Sequence, residues 1–561
     1  MTAPVAEAPA PQVASTGVRA MHELRATRKR HRLGEIEWFD AAYKVYVVGL
    51  FGGLALLWLS DLVGDAPVTI AQADSVSRRA PALLGMLAVL AFSAGLRSGS
   101  QGGPLALESA DVAYVMLSPV SRGAALMRPT AQRVRSAAFA SAGVCAVLAQ
   151  LGGRRLPGSP AAWFFAGGLF GANLALLWVG AALVAHAVRL PLWVTSVVAA
   201  VGIAWQAASI ADVLPGPADI DGSLALWGWR QRGVDVFALV LTLALVGLGV
   251  AMVARTSLDA LARRSSLVAQ LRFAVTMQDL RTVILLRRQL SHEHTRARPW
   301  IQLPHIGRSH PVWRRGWQSL LRLPASRLVR MVTVAIGAGA CQVAVMHDTT
   351  PALLGTMALT FLLGLDVLEP LSQEVDQPDR TDSFPIERGE LMARHLAAPA
   401  VALVPFAIIA GASAVLVDSL VGSPWKLSTT IAVAAILAVP TVLGGAAGAA
   451  VSVVRDAPDP MSDTTQQTFM PPEMAGFSTM VRTIVPLVVS MVGAVSVLFV
   501  RAAVQNGTSS GVAAAVRAAV LVVLVVVAVV TWVRFRDRIR RSIRSFMSEG
   551  RAQTQQQRSS R

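Results

Sequence analysis

Residues 104–123 read PLALESADVAYVMLSPVSRG, and residues 370–389 read PLSQEVDQPDRTDSFPIERG. Aligned without a gap, Pro104, Leu105, Glu108, Pro119, Arg122 and Gly123 fall on Pro370, Leu371, Glu374, Pro385, Arg388 and Gly389. Each stretch follows one run of apolar residues and precedes another. A polar loop that occurs twice, at matching places between apolar runs, marks a duplicated chain.

Composition supports a membrane setting for both copies. Hydrophobic residues make up 54% of the 561, charged residues 15%, and the mean hydropathy is +0.53. A soluble chain of this size carries about a quarter charged residues. Apolar runs of roughly the twenty residues that cross a hydrocarbon core recur throughout. They lie near 42–64, 80–97, 135–152, 161–186, 191–210 and 234–254, and then near 329–346, 352–369, 395–417, 428–454, 482–500 and 512–533. The predicted fold is therefore an all-α polytopic membrane protein of about twelve transmembrane helices, in two parallel six-helix repeats. Parallel follows because an even number of spans per half gives both halves one orientation. The expected segments are a disordered basic tail (1–34), a first six-helix half (35–255), a basic linker with amphipathic helices (256–328), a second half (329–534) and a basic tail (535–561).

The net charge of +18 is distributed in a way that argues against nucleic acid as a partner. Arginines crowd 25–32, 255–330 and 534–544, the segments that fall on one side if the spans alternate. Such an excess marks the cytoplasmic face, and it suits anionic lipid headgroups of the bilayer. Both termini are expected in the cytoplasm, with the chain in a bacterial cytoplasmic membrane. The Pro/Ala-rich start, MTAPVAEAPAPQVASTG, lacks the apolar core of a signal peptide. Cys145 and Cys341 sit inside apolar runs without a CxxC or His partner and read as small buried hydrophobes. No group of His, Asp, Glu and Cys has metal spacing, and the spans show no paired carboxylates of the kind a proton relay uses.

The loop from about 97 to 134 is long for a helix–helix connection. It mixes Leu105, Leu107, Val112, Tyr114 and Leu117 with Glu108, Asp111 and Arg122, and prolines frame it. Such a segment folds as a short surface helix, and two of them present two similar docking points to a partner that is itself a dimer. Each half is also preceded by an amphipathic stretch, HRLGEIEWFDAAYK (31–44) and VWRRGWQSLLRLPASRLVR (312–330).

On these features the chain resembles the membrane subunit of ABC-2-type exporters, in a full-length form with both six-helix halves in one chain. It is similar in particular to permease-like membrane proteins of actinobacteria that carry P-L…E…D…L-x-S-P-V-x-R after the second span. The resemblance implies a coupling helix in each repeated loop, docked on a separately encoded ATPase, with two ATPase copies per chain. ATP and magnesium would then be held by that partner, and this chain would carry no cofactor. The docking set would be Pro104, Leu105, Glu108, Asp111, Pro119, Arg122 and Gly123 with Pro370, Leu371, Glu374, Pro385, Arg388 and Gly389. It also implies an extracellular helical element between spans five and six, matched only in the first half by residues 212–233, with Trp227 and Trp229 as outer-gate residues. The sequence is consistent with a borrowed ATPase: its lysines are Lys29, Lys44 and Lys426, and none stands in a P-loop.

Blander readings stand beside these. Glu108 and Glu374 equally suit a helix N-terminus, and Arg122 and Arg388 equally suit positive-inside anchors. The pairs Gly167–Gly171 and Gly444–Gly448 read as helix packing. Rival functions are a secondary transporter of the major-facilitator type, also six plus six, and a non-transporting scaffold subunit.

Overall fold

The computed structural model describes residues 18–27, 30–31, 38–63, 67–105, 107, 111–118, 120–262, 265, 296–302, 310–375, 383–422, 425–454 and 472–559. Every regular element among them is helical. The chain forms two compact units, Met1–Glu293 and His294–Arg561.

In the first unit the order is α1 (Trp38–Asp61), α2 (Ile70–Ser100), a π-turn (Asp111–Val115), α3 (Arg122–Gly153), α4 (Pro160–Val188), α5 (Leu192–Ile210), α6 (Asp219–Leu224), α7 (Trp227–Arg230) and α8 (Gly233–Ala251). Helix α4 holds the centre and packs against α2, α3 and α8. It is apolar almost all round, as a helix enclosed by others must be. Ser159 caps it by accepting from the Ala162 N–H, Pro160 occupies the first turn, and Arg189 ends it in the left-handed conformation. Gly167 and Gly171 let α3 approach until their missing Cβ positions abut Ala149, Cys145 and Ser141, so this pair does serve packing.

The second unit runs α9 (Pro311–Leu320), α10 (Ala325–Met346), α11 (Ala352–Val367), α12 (Glu369–Val375), α13 (Arg388–His395), α14 (Ala397–Ala402), α15 (Val404–Val421), α16 (Leu427–Val454), α17 (Pro472–Gln505) and α18 (Gly511–Ser559). Here α16 is central and packs against α11, α15, α17 and α18. Gly444 and Gly448 meet α17 at Gly493, Ser490 and Pro486. Pro399 and Pro405 fall at the breaks that divide α13 to α15 into short pieces, since proline removes a helix hydrogen bond.

Ten helices are long and apolar enough to cross a bilayer. The pair α11–α12, bent by 65°, makes an eleventh if read as one span, and the apolar part of α1, Val45–Asp61, is shorter than the rest. Large apolar side chains such as Phe51, Phe139, Val201, Val240 and Leu524 point outward, which needs an apolar solvent around the helices. The chain is a multi-pass helical membrane protein. Two segments expected as tails contain helix. Residues 18–27 are helical, with Met21 packed into the bundle, and α18 continues past the apolar stretch to Ser559.

Candidate functional site

The two repeated loops occupy matching positions within their own units. In the first, Leu105 is buried with Leu126 of α3, Val179 and Leu183 of α4, and Val253 just past α8. In the second, Leu371 is buried with Met392 of α13, Ala449, Ala450 and Val454 of α16, and Val533 of α18. In the ungapped alignment Leu126 falls on Met392, so the correspondence continues three residues past the quoted stretches. The loop leucine thus plugs the space between the fourth and sixth long helices in each unit. Pro104 and Pro370 are buried beside it.

The repeated glycines mark a second shared contact. Gly123, in the first turn of α3, comes to the Ala254 side chain, 3.6 Å from where a Cβ would stand. Gly389, in the first turn of α13, lies so close to α18 that a Cβ would run into the Arg534 carbonyl oxygen. In the first unit the helix after the loop thus meets the turn just past α8, and in the second it meets α18 where the apolar stretch gives way to the basic continuation.

Glu374 is also an internal residue. Its carboxylate is 1% exposed and pairs at 2.6 Å with Arg315 of the amphipathic helix α9. His395 lies 3.8 Å from the same oxygen. Beside them, Arg327 and Arg330 of α10 pair with Asp366 and Glu369 at the α11–α12 bend, the closest contacts being 2.6 and 2.9 Å. These pairs hold the amphipathic helix and the start of α10 to the loop. Glu374 therefore faces α9 and not an outside groove. Glu108, its counterpart, and Pro119 lie outside the described residues.

What remains on the surface is a different set. Tyr114 is 77% and Leu117 71% exposed, and Arg122 is exposed at the start of α3. Asp111 opens the π-turn and is half-buried. In the second unit Phe384, Pro385 and Glu387 are exposed, Arg388 is half-buried, and Glu387 pairs with Arg538 of α18 at 3.0 Å. Each loop therefore combines a buried Pro-Leu anchor with an exposed edge that carries an aromatic residue.

At the opposite end of the first unit, residues expected to form an outer loop fold into the bundle. Helix α6 packs against α2, α4 and α8. Gly222 seats on α2 where a Cβ would strike Pro81 and Gly85, and Leu224 and Leu226 are buried. The Asp219 carboxylate accepts bonds from Gln206 Nε2 (2.7 Å), Ser209 Oγ (2.8 Å) and the Gly216 N–H (2.5 Å). Asp221 accepts from Asn173 Nδ2 at 2.6 Å. Asn173 is thirteen residues along α4 from Pro160 (173 − 160), or about 20 Å of helix rise. Trp227 and Trp229, the expected gate residues, are half-buried on α7, where Gly228 meets the Ala162 carbonyl at the start of α4. The readable signs of this insertion were Asn173 and Gln206, amides within apolar runs. No metal-binding cluster of His, Cys, Asp and Glu occurs among the described residues. Compared with known proteins, the chain matches no family model, no curated sequence and no solved structure.

Proposed function

We propose that the chain is the permease of an ATP-driven exporter of the ABC-2 type, worked by a separate ATPase dimer that docks on its two repeated loops. The observation that carries this reading is the shared placement of those loops. Leu105 anchors the first loop against α4 and the turn just past α8, Leu371 anchors the second against the end of α16 and the middle of α18, and Gly123 and Gly389 bring the third long helix to the same places. Equivalent helix pairs pack in the two units: second with fourth, third with fourth, fourth with sixth and second with fifth. Two six-helix halves of one orientation account for this agreement, and a dimeric motor on the cytoplasmic side accounts for keeping two matching loops.

In this arrangement the buried anchor transmits and the exposed edge docks. Tyr114, Leu117 and Arg122 in the first loop, with Phe384, Pro385 and Arg388 in the second, form the partner-facing surface, while Glu374 braces the second loop from within. ATP and magnesium are bound by the partner. Residues 212–233 serve as the outer element of the first half, in an asymmetric pair of gates.

The test is purification of the tagged chain from its native membrane in mild detergent. An ATPase subunit is expected at about two copies per chain. It should be lost in the variant Tyr114→Ser, Leu117→Ser, Phe384→Ser, and in Arg122→Glu with Arg388→Glu, with the purified chain still folded. A chain that purifies alone and moves its substrate with the proton gradient would make it a secondary transporter of the major-facilitator type. A stoichiometric partner that is not an ATPase would make it a scaffold subunit.

A further inference from the structure

The pairing of Asp221 with Asn173 is incomplete as it stands. Asn173 is 0% exposed, and its Nδ2 donates to Asp221 Oδ1 at 2.6 Å. Its carbonyl Oδ1 is equally buried and receives no hydrogen bond. A buried amide oxygen without a donor costs about 1–3 kcal/mol, and the carboxylate of Asp221, half-buried in the bundle, is partly desolvated without a cation, which adds to the cost. Among the described residues no Lys, Arg or His pairs with Asp221. One change removes both costs. A proton on Asp221 neutralises the carboxyl, and the acid O–H then donates to Asn173 Oδ1, giving the two-bond ring of a carboxylic acid paired with an amide.

We infer that Asp221 is a proton-binding site inside the bundle, with Asn173 as the partner that holds the acid form. The step is a simple uptake: a proton passes from hydronium to a carboxylate oxygen of Asp221 and leaves water behind. No other bond is made or broken.

The surrounding charges leave this site to itself. Asp219, on the same helix, is turned to Gln206, Ser209 and the Gly216 N–H. On α7, Arg230 donates to the carbonyl and hydroxyl of Ser77. On α2, Arg78 pairs with Asp74 at 3.0 Å, and Arg79 lies one residue further on. The stretch of α4 around Asn173 carries no titratable side chain, and neither does α5. On α8 the one carboxyl is Asp235, itself buried near the helix start. The influences on Asp221 are burial, which raises its pKa, and the bonds from Asn173 and from its own backbone N–H, which lower it by less. Coulombic action from a neighbouring charge is not among them.

The site lies on a segment that joins two long helices and is seated in the bundle by glycine contacts, so its proton is tied to that seating. Withdrawal of α6 toward water would expose Asp221 and release the proton; reseating would take it up. This inference stands whether an ATPase or a proton gradient drives the chain, so it survives failure of the exporter reading.

The test uses the full chain in detergent. Infrared spectra recorded from pH 4 to pH 8 are expected to contain the carbonyl stretch of a protonated carboxylic acid at pH values where an exposed aspartate is ionised. That band should be absent in Asp221→Asn and shifted in Asn173→Ala. Because the folded form holds a proton that the unfolded form releases above about pH 3.9, the folding equilibrium should fall about tenfold per pH unit more steeply in wild type than in Asp221→Asn, up to the folded pKa. Asparagine mimics the acid form and should fold normally. Absence of the band, with parallel pH profiles for wild type and Asp221→Asn, would overturn the inference. So would stabilisation of the wild type by sodium that Asp221→Asn lacks, since Asp221 would then be an ionised cation ligand.

Discussion

Replacing Arg315 by methionine tests whether Glu374 is an internal brace. The pair is 2.6 Å long, with the glutamate side chain 1% exposed and the arginine side chain 38% exposed. That difference makes the two single substitutions unequal. In Glu374→Gln the arginine can turn into water, and the loss is that of one charge-assisted hydrogen bond, about 1.5–3 kcal/mol. In Arg315→Met the carboxylate stays inside without its guanidinium, and breaking a buried pair that way costs about 3–5 kcal/mol. Burial already raises the Glu374 pKa above its ordinary value, and removing Arg315 raises it further. A carboxyl whose folded pKa exceeds its unfolded value of about 4.3 destabilises the fold progressively as pH rises between the two. The Arg315→Met deficit should therefore be smaller at pH 5 than at pH 8. The assay is unfolding of the purified chain in detergent at both pH values, for wild type, the two singles and the double variant. Arg315→Met should be the least stable at pH 8, and adding Glu374→Gln should recover most of its loss. Equal losses for the two singles, or an Arg315→Met deficit that ignores pH, would refute the buried pair.

The repeated glycines should respond differently to the same change. Gly123→Ala finds 3.6 Å to Ala254 and should stay within about 0.5 kcal/mol of wild type. Gly389→Ala meets the Arg534 carbonyl and should cost about 1–3 kcal/mol by overpacking; thermal unfolding of the two variants side by side reads the difference. Leu105→Ala and Leu371→Ala each open a cavity in a matching cluster and should each cost about 2–5 kcal/mol. Denaturant unfolding that finds one of the pair silent would break the equivalence of the two loops.

The spans were largely readable in the sequence because twenty-residue apolar runs have few other uses: ten of the expected runs meet a helix long and apolar enough to cross a bilayer, the run at 352–369 meets the bent pair α11–α12, and the run at 42–64 meets the shorter apolar part of α1. The bend after Val367 was not. Glu374 read as a polar loop residue and Glu369 as the last residue of an apolar run, yet both are buried, because Arg315 and Arg327, on helices earlier in the chain, supply their charge partners. Repetition itself was legible and its meaning was not. An identity between two copies can preserve a docking surface or a packing contact, and sequence alone does not separate them. The structure puts Pro104, Leu105, Pro370, Leu371, Glu374 and Gly389 on the packing side. The entry of residues 212–233 into the first unit was hidden for a related reason. A stretch with three aspartates and two prolines reads as solvated, and the partners that make its burial tolerable lie on α4 and α5.

How each loop is held bears on how it could transmit force. In the first unit Met21, on the helix at 18–27, packs into the Leu105 cluster, and Arg25 donates to the Ala125 carbonyl in the first turn of α3 at 2.9 Å. In the second, α9 packs against α12, α13 and α14 and reaches Glu374 through Arg315. An upstream helix thus clamps the loop from one side in both units, and the fourth long helix together with the sixth or the turn just past it clamps it from the other. On the side of the second long helix the connection differs: four residues separate Ser100 from Leu105 without regular structure, and α12 is bent by 65° from α11. On the side of the third, Arg122 and Arg388 start helices outright. Under the exporter reading, a push on Tyr114 or Phe384 is therefore carried into the third long helix and the upstream clamp, and the second long helix is spared by its bend. A cross-link between residues 25 and 125 should then uncouple ATP hydrolysis from transport while leaving the ATPase bound, whereas loss of binding would mean that the clamp shapes the docking edge itself.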